Sequence, residues 1–123
     1  MAINNKSNFY VTDDKNQVQI FDQKGIFQFK FKFKSTENTD RRFIRQSGIM
    51  IDSDRGHIII TDKGDQQVQI YNLQGEFLHQ FGFQESVDNQ LTNPIVVGIS
   101  ERGLIVVIDD NLTNQKLINT QLF

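Results

Sequence analysis

The sequence predicts an all-β protein made of repeated, four-stranded antiparallel sheets. Short apolar segments alternate with clusters of Gly, Asn and Asp along the chain, and this is the pattern of strands joined by tight turns. The composition includes eleven Phe, a single Pro and no Cys, and aromatic residues favour strands. The same order of segments also recurs along the chain, so each repeat predicts one small sheet.

The clearest repeat lies in the middle of the chain. Its four predicted strands are Ile49–Ile51, Ile58–Ile60, Gln67–Tyr71 and Glu76–Phe81. The turns Asp52–Gly56 and Asn72–Gly75 contain the Gly, Asn and Asp residues that reverse the direction of a chain. We therefore predict a complete unit over residues 48–82.

A first, incomplete unit precedes it. Asn8–Asp13 aligns with His57–Asp62, and the strand and turn that follow align with those of the complete unit. The leading strand of this unit is expected to be absent or reduced to the residues around Ala2 and Ile3. We predict a partial unit over residues 8–33.

A third unit, also incomplete, follows the complete one. Ile95–Ile99 is predicted to be its first strand, Leu104–Asp109 its second and Gln115–Ile118 a shorter third. A convincing fourth strand is missing from the pattern, so we predict a partial unit over residues 95–123. The three units together make one repeat segment, 1–123.

The length of the repeat predicts a particular architecture. A unit of about 48 residues with four strands indicates a β-propeller, with one blade for each repeat. The apolar run Leu104–Ile108 indicates a strand covered on both faces, whereas the alternation in Gln67–Ile70 indicates a half-exposed strand. The chain holds about two and a half blades, and closed propellers need about four or more. We therefore expect a partial propeller, a fragment or shortened member that self-associates or belongs to a longer propeller.

The pattern within the complete unit resembles the NHL repeat. The shared features are the D-x-D-x-G turn ending at Gly56, the I-I-I-T-D run ending at Asp62, the V-Q-I-Y strand ending at Tyr71 and the F-L-x-x-F-G segment ending at Gly82. That family builds six-bladed propellers, usually in tripartite-motif ubiquitin ligases and related scaffolds. The resemblance implies a non-catalytic module that binds a protein partner, as a substrate-recognition or scaffold part. Ligase activity would require a RING module, and the chain has no Cys to build one.

Neither catalysis nor a cofactor is predicted from the residue pattern. The two histidines, His57 and His79, both fall inside strands, and a metal site needs several ligands that converge. The acidic pairs at 13–14 and 109–110 recur near the end of a second strand. They could bind calcium, but a turn closed by an Asp side chain fits that position better. We expect no enzyme activity, no cofactor and no metal.

The composition favours a soluble protein of the cytoplasm. The chain contains no apolar run of membrane-spanning length and does not begin with a charged segment followed by an apolar one. Its net charge of −2 predicts no general attraction to nucleic acid or to anionic membranes.

One basic segment leaves a second function open. Phe27–Lys34 alternates Phe with mostly Lys, as expected of an outer strand with Phe in the core and Lys in solvent, where Lys discourages edge-to-edge pairing. From Lys30 to Arg45, however, six basic residues stand against two acidic ones. RNA binding through this segment is therefore the alternative to protein binding.

The partner-binding residues are predicted from loop length. In an up-and-down sheet, the connections after the second and fourth strands lie at one end and the tight turns lie at the other. The long connections, above all Lys34–Ser47, all follow a second or a fourth strand. Long loops on a rigid scaffold are common recognition sites. We predict that a partner contacts four basic residues of these connections: Arg41, Arg42, Arg45 and Lys63.

Overall fold

The computed structural model describes residues 1–13, 15–32, 48–62, 67–81, 94–110 and 115–121. Every regular element within these ranges is a strand, which confirms the all-β prediction. The strands are β1 (Ala2–Ile3), β2 (Phe9–Thr12), β3 (Gln17–Phe21), β4 (Phe27–Lys32), β5 (Gly48–Asp52), β6 (His57–Asp62), β7 (Gln67–Asn72), β8 (Phe77–Phe81), β9 (Pro94–Ile99), β10 (Leu104–Asp110) and β11 (Gln115–Gln121). In the described part of the chain, no helix is long and apolar enough to cross a membrane.

The strands form three antiparallel sheets that follow chain order. The first sheet is β1-β2-β3-β4, the second is β5-β6-β7-β8 and the third is β9-β10-β11. Ala2 and Ile3 pair with Tyr10 and Phe9, so the first unit has a leading strand, although it is only two residues long. The leading strands of neighbouring sheets contact each other, β1 with β5 and β5 with β9. This arrangement is consistent with a partial propeller of NHL type.

Equivalent turns join the third and fourth strands of the first two sheets. Oδ1 of Asp22 accepts hydrogen bonds from the backbone N–H groups two and four residues further on, and Oδ1 of Asn72 does the same. A glycine with positive φ follows in each turn, Gly25 at 81° and Gly75 at 88°. The repeat in the sequence is therefore also a repeat in backbone geometry, because the same side-chain cap and the same left-handed residue close both turns.

Two apolar clusters fill the spaces between the sheets. The cluster between the first and second sheets consists of Tyr10, Val18, Ile20, Ile58, Ile60 and Tyr71. The cluster on the other side of the second sheet consists of Ile59, Val68, Ile70 and Ile105. Consecutive residues of β6 belong to different clusters because side chains alternate between the faces of a strand. The second sheet is thus covered on both faces. The expectation that the alternating strand Gln67–Ile70 is half-exposed is wrong, because the neighbouring sheets cover both of its faces and even Gln69 is 0% exposed.

The outer strand β4 departs from the sequence-based expectation. Only Phe31 packs inward, with its ring centroid 5.2 Å from that of Tyr71, whereas Phe27 and Phe29 are exposed. The expectation that the Phe face of this strand lies in the core is therefore wrong for those two residues. Two causes combine. β4 is the last strand of its sheet. A register shift also pairs Phe29 with Ile20 and Phe27 with Phe21, and because adjacent residues of β3 face opposite sides, Phe27 and Phe29 do not share one face.

Candidate functional site

The connections between strands emerge at two opposite ends of the sheets. We call one end the turn face; it carries the tight turns at residues 4–8, 22–26, 53–56, 73–76 and 100–103. We call the other the loop face; its connecting segments are residues 13–16, 33–47, 63–66, 82–93 and 111–114. The antiparallel order of the strands fixes this division, because each strand returns the chain to the opposite end.

Hydrogen bonds across the turn face join neighbouring sheets. The backbone N–H of Asn5 donates to Oγ of Ser53 at 3.1 Å, which links the first sheet to the second. The guanidinium of Arg55 donates to Oδ2 of Asp52 at 3.1 Å and also to the backbone carbonyl of Glu101, which links the second sheet to the third. Asp52 is only 6% exposed, so Arg55 neutralises a buried carboxylate. Arg55 therefore supports the fold and is not a free surface charge.

The four predicted partner-binding residues, Arg41, Arg42, Arg45 and Lys63, lie outside the described residues. The flanking strands nevertheless show at which end of the sheets the segments that contain these residues begin. The segment with the three arginines runs from the end of β4 to the start of β5, and Lys63 directly follows β6. All of these strand ends lie at the loop face. The role of the four residues stays a prediction.

Asp13 begins the connection between β2 and β3 at the loop face. Its Oδ1 accepts the backbone N–H groups of Lys15 at 2.8 Å and Gln17 at 3.1 Å, and its Oδ2 accepts the side-chain amide of Gln19 at 2.9 Å. Partial burial raises the pKa of Asp13, but these hydrogen bonds and the nearby Lys15 outweigh it, so the pKa lies below its ordinary value. The prediction of a turn closed by an Asp side chain is confirmed at this residue.

The other candidate metal ligands are spread over separate strands. His57 lies in β6 and His79 lies in β8, and the second acidic pair, 109–110, ends β10. Within the described ranges, no three His, Asp or Glu side chains lie close enough together to hold a metal ion.

The exposure of several large apolar side chains, most of them on the first sheet, was not predicted from the sequence. Large apolar side chains are exposed at Met1, Ile3, Ile26, Phe27, Phe29, Phe77 and Leu78. Most of them belong to the first sheet or its turns, and the others lie on β8. They do not form one contiguous patch, because Phe27 and Phe29 pair with the adjacent residues Phe21 and Ile20 and so face opposite sides of the sheet. The outer position of β4 was the available signal, but alternation alone does not reveal whether a neighbouring sheet covers a strand.

Comparison with known proteins gives three relatives, and no family model matches the chain. The chain is 31% identical over 111 residues to the protein brain tumor of Drosophila melanogaster. It is 29% identical over 111 residues to the B-box type zinc finger protein ncl-1 of Caenorhabditis elegans. It is 27% identical over 115 residues to the E3 ubiquitin-protein ligase NHLRC1 of Homo sapiens.

The similarity covers most of this chain but a minor part of each relative. It extends over 89%, 89% and 90% of the chain, whereas the chain spans 10%, 12% and 28% of the lengths of the three relatives. All three relatives are NHL-repeat proteins.

Proposed function

We propose that this chain, which is built from NHL-type repeats, is a non-catalytic module that binds a protein partner through its loop face. Its NHL-repeat relatives support a β-propeller module for protein interaction in general. One of them is an E3 ubiquitin-protein ligase, which supports the narrower proposal that the module recognises substrates or acts as a scaffold for such a ligase.

The division of the connections between the two faces carries this proposal. On the turn face, hydrogen bonds close the turns and join neighbouring sheets, as Asn5, Ser53 and Arg55 show. The long connecting segments, 33–47 and 82–93, both belong to the loop face. Long segments that start from a rigid scaffold can change in sequence without disturbing the sheets, so recognition residues concentrate there.

The charges of the loop face indicate the chemistry of the partner. Arg41, Arg42, Arg45 and Lys63 place four basic residues in segments that start at this face. Arg is one of the residue types that contribute most to protein interfaces, and complementary charge steers association. The loop-face segments together contain six basic and seven acidic residues, so the basic charge is local to these four positions. We therefore propose that acidic groups of the protein partner meet the cluster Arg41, Arg42 and Arg45.

A charge-reversal experiment tests the proposal. The loop-face variant changes Arg41, Arg42, Arg45 and Lys63 to Glu. The matched turn-face variant changes Lys6, Lys24 and Arg102 to Glu, since these residues are exposed and Arg55 is excluded by its structural contacts. Both variants and the unchanged chain are immobilised, and captured proteins are quantified by mass spectrometry. Loss of a captured partner from the loop-face variant alone is expected; equal loss from both, or loss from the turn-face variant alone, contradicts the proposal.

The same experiment separates the protein partner from RNA, the alternative suggested by the segment Lys30–Arg45. Capture is repeated after treatment with ribonuclease and over a series of salt concentrations. A protein partner is retained after ribonuclease treatment. Capture that disappears with ribonuclease, together with affinity for single-stranded RNA that falls steeply with salt, supports RNA binding and contradicts the protein proposal.

A further inference from the structure

The strand β4 forms one edge of the first sheet. In the described part of the chain it pairs only with β3, and all of its residues except Phe31 are exposed. An edge strand presents a row of backbone N–H and C=O groups that can pair with another chain. Some protein partners bind in this way, as an extended segment that adds a strand to the sheet. β4 is therefore a candidate site for strand addition.

Neighbouring sheets do not hide an outer strand of this fold. β8, the last strand of the second sheet, shows this, because apolar clusters cover both faces of that sheet. The residues of β8 are nevertheless all exposed except Phe81. β4 occupies the same position in its own sheet, so its outer edge stays accessible whether or not further sheets cover that sheet.

The side chains of β4 separate by chemistry onto the two faces of the sheet. Residues 29–32 pair with β3 in regular register, so alternate side chains point to opposite faces. Phe31 packs against the cluster between the first and second sheets. Phe29 therefore lies on the face toward the second sheet, whereas Lys30 and Lys32 lie on the other face. The edge thus offers an aromatic side and a basic side.

A segment that pairs with β4 must match both sides. Residues directly opposite each other on neighbouring strands have their side chains on the same face. Carboxylates opposite Lys30 and Lys32 stabilise the pairing, since opposite charges favour it and like charges oppose it. Apolar side chains fit opposite Phe29 and Phe31. We propose that β4 binds an extended segment of a protein partner in which Asp or Glu alternates with apolar residues. The proposal does not depend on binding at the loop face.

The same arrangement disfavours two other occupants. A second copy of β4 would bring lysines of both copies to one seam, and Lys on an edge strand discourages such pairing. Single-stranded RNA binds best where bases stack on aromatic rings beside the cations that meet its phosphates. Phe29 and Lys30 lie on opposite faces of the sheet, so they do not form one such surface.

Binding of a synthetic peptide to the full chain, measured by fluorescence anisotropy, tests the proposal. The peptide alternates Glu with Val over about eight residues, a little longer than a typical strand, and the comparison peptide alternates Lys with Val. The chain is expected to bind the Glu peptide at least about tenfold more tightly than the Lys peptide. Changing Lys30 and Lys32 to Glu is expected to reverse that preference. The matched control changes Lys6 and Lys24, which are exposed on the turn face, to Glu and should leave the preference unchanged.

Lys30→Gln is the milder variant if far-UV circular dichroism shows that the double change prevents folding. It copies β8, where Gln80 pairs with Gln69 as Lys30 pairs with Gln19. This variant is expected to weaken binding of the Glu peptide without creating a preference for the Lys peptide.

Methylation of the peptide nitrogens tests whether the Glu peptide binds as a strand. Successive N–H groups along a strand point to opposite edges, so methylating only the Glu nitrogens blocks one edge and methylating only the Val nitrogens blocks the other. One of the two methylated peptides is expected to lose affinity at least about tenfold, and the other to keep it.

Several results would overturn the proposal. They are no binding of the Glu peptide, with or without binding of single-stranded RNA; equal effects of the two methylations; an unchanged preference after the changes at Lys30 and Lys32; an equal reversal in the turn-face control; and dimerisation of the chain that displaces the peptide.

Discussion

The ring of Phe31 lies directly against Gly75, so that a Cβ on Gly75 would stand 2.7 Å from both Cγ and Cδ1 of the ring. Phe31 belongs to the last strand of the first sheet, and Gly75 closes a turn of the second sheet. The contact therefore joins two neighbouring units of the repeat. Gly75 satisfies two requirements at once, because its φ of 88° favours glycine and its missing side chain makes room for the ring.

Gly75→Ala and Gly25→Ala separate these two requirements. Gly25 occupies the same turn position with a φ of 81°, but an added Cβ there meets nothing within 4 Å. We expect Gly25→Ala to lower the free energy of unfolding by about 1–2 kcal/mol, the cost of the left-handed backbone. Gly75→Ala is expected to cost about 1–3 kcal/mol more, because the core must also shift. Urea unfolding measures both; equal losses would contradict the close contact with Phe31.

Arg55→Ala tests the link between the second and third sheets. The change removes the ion pair with Asp52 and the hydrogen bond to the carbonyl of Glu101. We expect the free energy of unfolding to fall by about 1–3 kcal/mol, since a buried carboxylate loses a charged partner. Arg102→Ala, at an exposed site in the same region, is the control and should change it by less than about 0.5 kcal/mol. If both variants unfold at the same urea concentration as the unchanged chain, Arg55 does not join the sheets.

The repeat made much of the fold predictable, and the places where prediction failed have physical causes. The positions of most strands and turns followed from short-range pattern, because turn residues such as Asp22 and Asn72 act on their own backbone. The expectation of a shorter strand ending at Ile118 was wrong, since β11 extends to Gln121. The exposure of Phe27 and Phe29 did not follow, since burial depends on a neighbouring sheet that local alternation cannot reveal. Arg55 looks in the sequence like any other charged turn residue. Its structural role depends on the distant carbonyl of Glu101.

Ser7→Gly is expected to stabilise the chain. The turn after the first strand has a residue of positive φ in every unit: 63° at Ser7, 71° at Gly56 and 86° at Gly103. Ser is the unfavourable choice there, because a Cβ crowds the left-handed backbone. The greater freedom of glycine in the unfolded chain opposes this effect and offsets part of it. We therefore expect the free energy of unfolding to rise by a net amount of about 0.5–1 kcal/mol. Thermal unfolding measures it, with Gly56→Ser as the reverse change, which should lower the melting temperature. A lower melting temperature for Ser7→Gly would contradict this account of the turn.

Because hydrogen bonds stabilise the charged form of Asp13, we expect the stability of the folded chain to fall at acidic pH. Its pKa in the folded chain lies below the ordinary value of 3.8. The stabilisation from the charged form is therefore complete above that value and is lost as the pH falls through the lower folded pKa. Asp13→Asn keeps an oxygen that can accept the backbone N–H groups but removes the charge. We expect the variant to be less stable at pH 7 by less than about 1 kcal/mol, because solvent screens the charge of a side chain that is only partly buried.

Urea unfolding of Asp13→Asn over a pH series checks whether the charge of Asp13 stabilises the folded chain. The difference from the unchanged chain should shrink as the pH falls below 3.8. Asp54→Asn, at an exposed position of the turn face, is the matched control. A difference for Asp13→Asn that stays constant or grows in acid would show that the charge of Asp13 does not stabilise the folded chain.

The loop face was predictable from the sequence in outline, because the order of strands alone decides the end at which each connection emerges. The strand ends at Lys32, Gly48 and Asp62 bear out that division. The contacts of Arg41 and Lys63 with a partner depend on the partner's own surface, which sequence pattern does not describe. Those contacts, like the cytoplasmic location, stay predictions.

Amine-reactive crosslinking of the chain in complex with its captured protein partner, followed by mass spectrometry, tests the loop-face proposal most directly. Lys63 belongs to a loop-face segment, whereas Lys6 and Lys24 are exposed on the turn face. All three are lysines of one chain, so each serves as an internal control for the others. We predict that crosslinks to the partner form at Lys63 and are absent from Lys6 and Lys24. Crosslinks concentrated at Lys6 and Lys24, with none at Lys63, would contradict binding through the loop face.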